Sequence, residues 1–557
     1  MLLHILRSLC DFADNAVNGR PSCANGAFQN DVLRKQWGWD GFIVSDCGAL
    51  EDDDMRRLVS GNGPDMAAAE LKGGTDLECS GHLPQFAGQA LAQNKLNISD
   101  IDTSISRKFA HWIALGELDG PADVVYQRLG PEEVDTTEHR LLSLSVAEQV
   151  SQNHARRKDT YTGVPSFNVF VVCSQAMTLL KNDPPSSTGE TAASALLPLS
   201  GSEKIAMIGP HANFTLQMLS NYAGQNTLAL RHSPLMAAQA AGLHVTWTAG
   251  HDLDVTDPDK SHIPAAVTAA KAADVAVVVV GGCADHCVGT GRTKGGSEDE
   301  GYDRGRIGLP GAQEQLLEAV VAAQPKTIMV MINGGPLSVS WAKDHVPAIL
   351  EAYYPGQLGG DAIVNTLIGK NNPGGKTPTT WYDDSILSRS MYDMNLNSGD
   401  GLTHMYYSKA PLWPFGFGLS YTTFSYSWKT GADASATAAV LSTEDLANSG
   451  LEMQCTVTNT GKLSGDAVVL GFVNSTSPDF PRQRLFDFER VTVAPGAEKT
   501  VVLTADAEDL SVVDAHGRRW LRGGRFTLRA GDVMAPARRD VAVHGAARLL
   551  EDLSGAF

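Results

Sequence analysis

A short apolar run ending on a carboxylate, Gly41-Phe-Ile-Val-Ser-Asp-Cys47, constrains this chain more than any other stretch. Phe42, Ile43 and Val44 have the aromatic and β-branched character of a buried strand, and Asp46 stands just past its carboxyl end. In a parallel α/β barrel, that rim is where catalytic side chains project. A full barrel takes roughly 250 residues. A strand-end aspartate this early therefore predicts that only the last part of such a barrel lies in the chain.

At 557 residues the chain is too long for one core, and about three domains are expected. Residues 1–120 read as the C-terminal part of a barrel. The strand at 42–44 is followed by a helical stretch through Met66–Leu71, a second strand-turn at Gly74-Thr-Asp-Leu-Glu-Cys79, and an amphipathic run, Ile101–Leu115. Residues 121–200 read as a loop-rich linker with an insertion, and Pro184–Thr191 has the composition of a connector. Between 201 and 385 apolar strands alternate with helices: Ile205–Ile208, His244–Thr248, Val275–Val280, Thr327–Ile332 and Ala348–Ala352. That pattern predicts a parallel sheet covered on both faces. After a connector at 386–424, residues 425–545 carry short alternating strands (Gln454–Thr458, Ala467–Val473, Thr500–Leu503, Arg525–Ala530), the pattern of a β-sandwich.

The formal charge of -19 argues against a nucleic-acid or anionic-membrane partner. No apolar run reaches the ~18 residues of a membrane span. Met1–Cys10 has only a weak apolar stretch and is not read as a signal peptide. Sequons at Asn97, Asn213 and Asn474 are compatible with a secreted protein. Eight cysteines are too sparse for a disulfide scaffold. Cys283-x-x-His286-Cys287 invites a zinc reading, but no second ligand pair stands at finger spacing, so a structural role is expected and no metal. Val275–Val280 leads into Gly281-Gly282 without a G-x-G-x-x-G, and there is neither a G-x-S-x-G elbow nor a phosphate loop. No cofactor is expected.

The chain resembles glycoside hydrolase family 3, and within it the β-xylosidase/α-L-arabinofuranosidase branch. The resemblance rests on 15–25, on 37–47, on Gly74–Cys79 and on Leu179-Leu-Lys-Asn-Asp183. It continues through Ile208-Gly-Pro210, Glu300-Gly-Tyr-Asp-Arg304, Tyr354-Pro-Gly-Gln357, Asn372-Pro-Gly-Gly375, the stretch 414–421 and Val457-Thr-Asn-Thr-Gly461. It implies part of a (β/α)8 barrel, then an α/β sandwich domain, then a fibronectin type III-like β-sandwich. It also implies a secreted retaining glycosidase acting on xylan-derived oligosaccharides or polysaccharides. Alternatives are a β-glucosidase of the same family, or an inactive remnant that binds carbohydrate or a partner.

By that resemblance Asp46 is the nucleophile of a covalent glycosyl–enzyme intermediate. The acid/base lies on the loop before Asp303-Arg304, where Glu298 is the first choice and Glu300 the alternative. A solvated acidic loop is the competing reading of both. The branch assignment rests on Cys47, as a substrate-binding position, and on Leu77-Glu-Cys79. The resemblance also implies a disulfide between Cys23 and Cys47.

Two departures stand out. The match begins at Asn15, preceded by Asp14 where the family has tyrosine, and Leu2–Phe12 has no counterpart in it. Most of the barrel, with the residues that grip sugar hydroxyls, would then lie outside this chain, which predicts little activity from the chain alone. At about 150–172 the family helix ending in Leu-Leu-Lys-Asn is split between Leu141–Gln149 and Gln175–Asn182 by a stretch without apolar periodicity. Together these departures suggest an incomplete, mis-spliced or degenerate gene product.

Overall fold

The computed structural model describes residues 9–12, 16–17, 20–49, 62–120, 124–148, 177–185, 194–219, 232–252, 254–284, 297–298, 305–390, 393, 395–429 and 439–552. The stretch at 150–172 lies outside them. The chain divides into two compact units, each described here by itself. The first comprises Met1–Glu133, Ser511–Leu521 and Ala547–Phe557; the second comprises Val134–Leu510 and Arg522–Ala546.

In the first unit, β1 (Leu9–Phe12) runs parallel to β2 (Phe42–Ser45), with Leu9 opposite Phe42 and Phe12 opposite Ser45. Sequence reasoning assigned no element to Leu9–Phe12. A third parallel segment adjoins β2 through a Val44–Leu77 bridge. There Ser45 N donates to Leu77 O at 2.9 Å, and Leu77 N donates to Ile43 O at 3.0 Å. Ile43 is fully buried among Cys23, Leu33, Ala49 and Met66.

Three helices follow: α1 (Gly63–Gly73), α2 (His82–Ala92) and α3 (Ile98–Leu115). α1 starts where the Asn62 side chain accepts from Asp65 N and Pro64 occupies the first turn, and it stops at Gly74, whose φ of 114° suits glycine. Glu70 on α1 is buried with neither carboxyl oxygen hydrogen-bonded. Burial, reinforced by the charge of Glu78, pushes its carboxyl well up, so that it enters the core as a neutral acid. Strands Ser511–Val513, Arg518–Leu521 and Arg548–Asp552 form an antiparallel sheet in this unit.

One buried carboxylate joins these pieces. Asp76 Oδ2 lies 2.6 Å from Arg34 Nη2 and accepts from Ile43 N at 3.0 Å, while Oδ1 lies 3.0 Å from Arg107 Nη1 of α3. Arg34, from the π-wound helix Ala27–Gln36, also donates to Gly41 O at 2.7 Å and Gly74 O at 3.1 Å.

In the second unit, β3 (Thr178–Asn182), β4 (Lys204–Ile208), β5 (His244–Thr248), β6 (Val275–Gly281), β7 (Thr327–Ile332) and β8 (Ala348–Glu351) form one sheet in the order β3-β8-β7-β6-β4-β5. All neighbours are parallel except β3, which runs antiparallel to β8 at the edge. The sheet is therefore mixed rather than wholly parallel. Leu179-Leu-Lys-Asn182 belongs to its edge strand and not to a helix end: Leu179 and Leu180 point to opposite faces, each into a different core, as strand periodicity requires.

The helices are α4 (Thr137–Glu148), α5 (Pro234–Ala240), α6 (Ile263–Lys271), α7 (Gln313–Ala323), α8 (Ser340–His345) and α9 (Gly359–Leu367). Val275, Val277 and Val279 pack with α4, α5 and α9 residues such as Ala147, Leu235 and Ile363. Val278 and Val280 pack with α6, α7 and α8 residues such as Ala266, Leu316 and Ala342. Covering both faces explains why these strands read as continuous apolar runs.

Further on, the strands at 424–428, 451–459 and 498–505 form one sheet, and those at 439–442, 537–544, 524–531, 465–475 and 484–493 form another. Cys455, Val457 and Leu503 from the first share a core with Ala467, Val469 and Ala530 from the second. Among the described residues, no helix is long and apolar enough to cross a membrane.

Removing Asp76 leaves Arg34 facing a buried gap, and an orphaned buried charge typically costs ~3–5 kcal/mol. Asp76→Ala is expected to destabilise the first unit by about that amount. Chemical denaturation followed by the fluorescence of Trp39, whose ring lies 5.1 Å from the Arg34 guanidinium, measures it.

Candidate active site

Asp46 is half-buried, one residue beyond β2. Its Oδ1 accepts from Cys47 N at 2.7 Å, and its carbonyl accepts from Ala49 N at 3.2 Å across a turn that contains Gly48 at φ 85°. The side chain is thus fixed where the sequence placed it, at the end of a parallel strand. Cys47, the expected substrate-binding position, is disulfide-bonded to Cys79, with Cα atoms 4.4 Å apart. The Cys23–Cys47 pairing implied by the resemblance is therefore corrected. The Val44–Leu77 register carries Cys47 and Cys79 past the ends of adjacent parallel segments, whereas Cys23 is buried beside Ile43 and Met66.

Glu298 belongs to the second unit and is half-buried. Its backbone N donates to Cys283 O at 3.0 Å, and the Ser297 hydroxyl accepts from Cys283 N at 3.0 Å, which pins Ser297 and Glu298 beside the end of β6. Glu298 Oε2 accepts from Gly334 N at 2.6 Å and from the Tyr354 hydroxyl at 2.7 Å. Gly334 stands two residues past β7, Tyr354 three past β8, and Gly282 one past β6. The carboxyl therefore sits over the carboxyl ends of three adjacent parallel strands, where open α/β sheets place their ligands.

Gly282 supplies the room. A Cβ there would lie 2.2 Å from Glu298 Cδ. His211, just past β4, has Nε2 2.7 Å from Gly282 O. Burial holds its imidazole down at about 4, so it is neutral, with Nε2–H as the donor to that carbonyl.

Glu300 and Asp303-Arg304 lie outside the described residues. Cys283 is disulfide-bonded, and His286 and Cys287 lie outside the described residues. Among the described residues, no group of three or more His, Cys, Asp or Glu is placed to hold a metal ion. Sequence reasoning missed Gly334 and the buried Glu351 and Asn333, and it took Tyr354 only as part of a motif. The available signal was polar residues immediately after apolar strands.

Residues 177–421 match the Glycosyl hydrolase family 3 C-terminal domain, and residues 468–533 match the Fibronectin type III-like domain. A beta-D-xylosidase of Arabidopsis thaliana is 32% identical over 94% of this chain and 65% of its own length. An exo-1,4-beta-xylosidase of Emericella nidulans is 32% identical over 93% of this chain and 63% of its own. The solved structure of a family 3 exo-beta-xylosidase with a xylobiose aziridine probe superposes with a TM-score of 0.80 at 26% identity, over 98% of this chain and 67% of that one. Residues 177–421 are a glycoside hydrolase family 3 C-terminal domain, followed by a fibronectin type III-like domain. The chain spans just under two thirds of the length of these curated relatives.

Because the atom that a Gly282 Cβ would meet is the far end of a flexible side chain, Gly282→Ala should move Glu298 and spare the fold. A crystal structure of the variant is expected to show Glu298 off Gly334 N and Tyr354, with β6 and β7 unshifted. An unmoved Glu298 would contradict this geometry.

Proposed function

We propose that this chain is the catalytic part of a retaining glycoside hydrolase, an exo-β-1,4-xylosidase releasing xylose from xylan-derived oligosaccharides. In this reading Asp46 is the nucleophile and Glu298 the acid/base. The Asp46 carboxylate attacks the anomeric carbon as Glu298 gives its proton to the departing glycosidic oxygen. Water, deprotonated by Glu298, then cleaves the glycosyl ester and restores both groups. The observation that carries the proposal is the clamp on Glu298: two donors from neighbouring strand ends fix one carboxyl oxygen, the restraint required of a group that must meet the leaving oxygen in one orientation. Relatives named as xylosidases support the substrate class.

The finer architecture belongs to the same proposal. The three parallel segments of residues 1–120 are part of a (β/α)8 barrel, 201–385 is the body of the α/β sandwich domain, and 425–545 is a fibronectin type III-like sandwich. Residues 121–200 and 386–424 connect them. The disulfides at Cys47–Cys79 and Cys283 support export to an oxidising compartment.

In the chain fused from Asn15 onward to an intact family 3 barrel N-terminus, dinitrophenyl and alkyl xylosides separate the two roles. Asp46→Ala should abolish turnover of both, because no nucleophile remains. Glu298→Ala should retain glycosylation by the dinitrophenyl substrate, accumulate intermediate, and regain turnover with azide as a β-xylosyl azide. Azide rescue of Glu300→Ala, with Glu298→Ala unaffected, would transfer the acid/base role to Glu300.

A further inference from the structure

Directly beneath Glu298 lies a second carboxyl that the reaction does not use. Glu351 is the last residue of β8 and is fully buried. Its Oε1 accepts from Tyr353 N at 2.7 Å. Asn333 sits beside the carboxyl and bears on its ionisation, yet neither Glu351 Oε2 nor Asn333 Oδ1 has a hydrogen-bond partner in ordinary geometry. The Asn333 Nδ2 is engaged elsewhere, donating to Gly335 O at 2.7 Å.

The arrangement has a register. Asn333-Gly334 follows β7 and Tyr353-Tyr354 follows β8. In each pair the first residue addresses Glu351 and the second grips Glu298. Tyr353 turns the chain at φ 53°, an unfavourable value for a side-chain-bearing residue, and its N–H is the one held by Glu351.

We propose that Glu351 is a positioning residue for Glu298: by holding Asn333 and the Tyr353 turn from below, it keeps Gly334 N–H and the Tyr354 hydroxyl aimed at the Glu298 carboxyl. This rests on the reading of Glu298 as the acid/base. Glu351 does so as a neutral acid. Its Oε2 is fully buried without a hydrogen-bond partner, a place where a proton is favoured over a bare charge. Burial pushes the Glu351 carboxyl well up, helped by the charge of Glu298, and outweighs the Tyr353 N–H and the Asn333 side chain, which favour its ionised form. The titratable groups acting on it are Glu298 and Tyr353, whose phenol is itself pushed up by burial and by Glu351. The unfolded chain releases this proton near ~4.3 while the folded chain keeps it, so stability falls as pH rises above that value and levels off past the folded pKa.

The test reads the Gly334 amide in the full chain by glycine-labelled NMR, as its exchange rate relative to the Gly360 amide, with Glu298→Gln identifying the contact. Glu351→Gln, which keeps a neutral hydrogen-bonding group, is expected to hold Gly334 protection within about twofold; Glu351→Leu should lose roughly tenfold or more, the scale of a lost buried hydrogen bond. Rising pH should erode the protection in the parent chain and not in Glu351→Gln. Infrared difference spectra, parent minus Glu351→Gln at neutral pH, should show a neutral carboxyl band. Protection kept in Glu351→Leu, equal loss in Glu351→Gln, or a carboxylate band in the difference spectrum overturns the proposal. Should Glu351→Leu fail to fold, the parent and Glu351→Gln compared across pH decide it alone. If these results hold while Glu298→Ala leaves xyloside hydrolysis intact, the acid/base role falls and the positioning contact stands.

Discussion

The first unit is organised around a charge with nowhere else to go. The Asp76 side chain is 1% exposed, and a carboxylate so far from water persists only if its lone pairs are met by ionic or N–H donors. Arg34, Arg107 and Ile43 N meet them, from a helix wound in the wide π form, from α3 and from β2. That requirement fixes the height of segment 74–79 against β2. The same height sets the Val44–Leu77 register, the Cys47–Cys79 cross-link and the turn on which Asp46 sits.

The second unit uses backbone ends instead of a buried ion pair. Parallel strands that are apolar on both faces can present chemistry only where they end. Glu298 is accordingly gripped by what lies just past β7 and β8 and given room by what lies just past β6. Neutral His211 steadies the Gly282 carbonyl from the neighbouring strand. Beneath them Glu351 is fully buried, with Oε1 on Tyr353 N and Oε2 unpartnered, and burial pushes its carboxyl well up.

Much of this was legible in the sequence, for identifiable reasons. Val275–Val280 and Thr327–Ile332 stand out because burial on both faces demands unbroken apolar runs. Leu179–Asn182 did not, since a run so short has no period to separate strand from helix. The disulfide was misassigned because pairing depends on the register between two strands, and Cys23 competes on equal terms in sequence. Glu351 was hidden for a different reason: inside the run Ala348–Ala352 it belongs to no motif, and only the sheet shows that it is buried. Asp46 and Glu298 were proposed through family resemblance, and the structure adds how each is held.

The claim that most needs direct examination is chemical: that Asp46 becomes covalently bonded to sugar. A xylose-configured aziridine, of the kind bound in the related xylosidase structure, opens on attack by a carboxylate and leaves a stable ester. Peptide mapping by mass spectrometry after labelling the chain should place that ester on Asp46, with none in Asp46→Asn. An ester on a different carboxylate, or equal labelling of Asp46→Asn, would contradict the account.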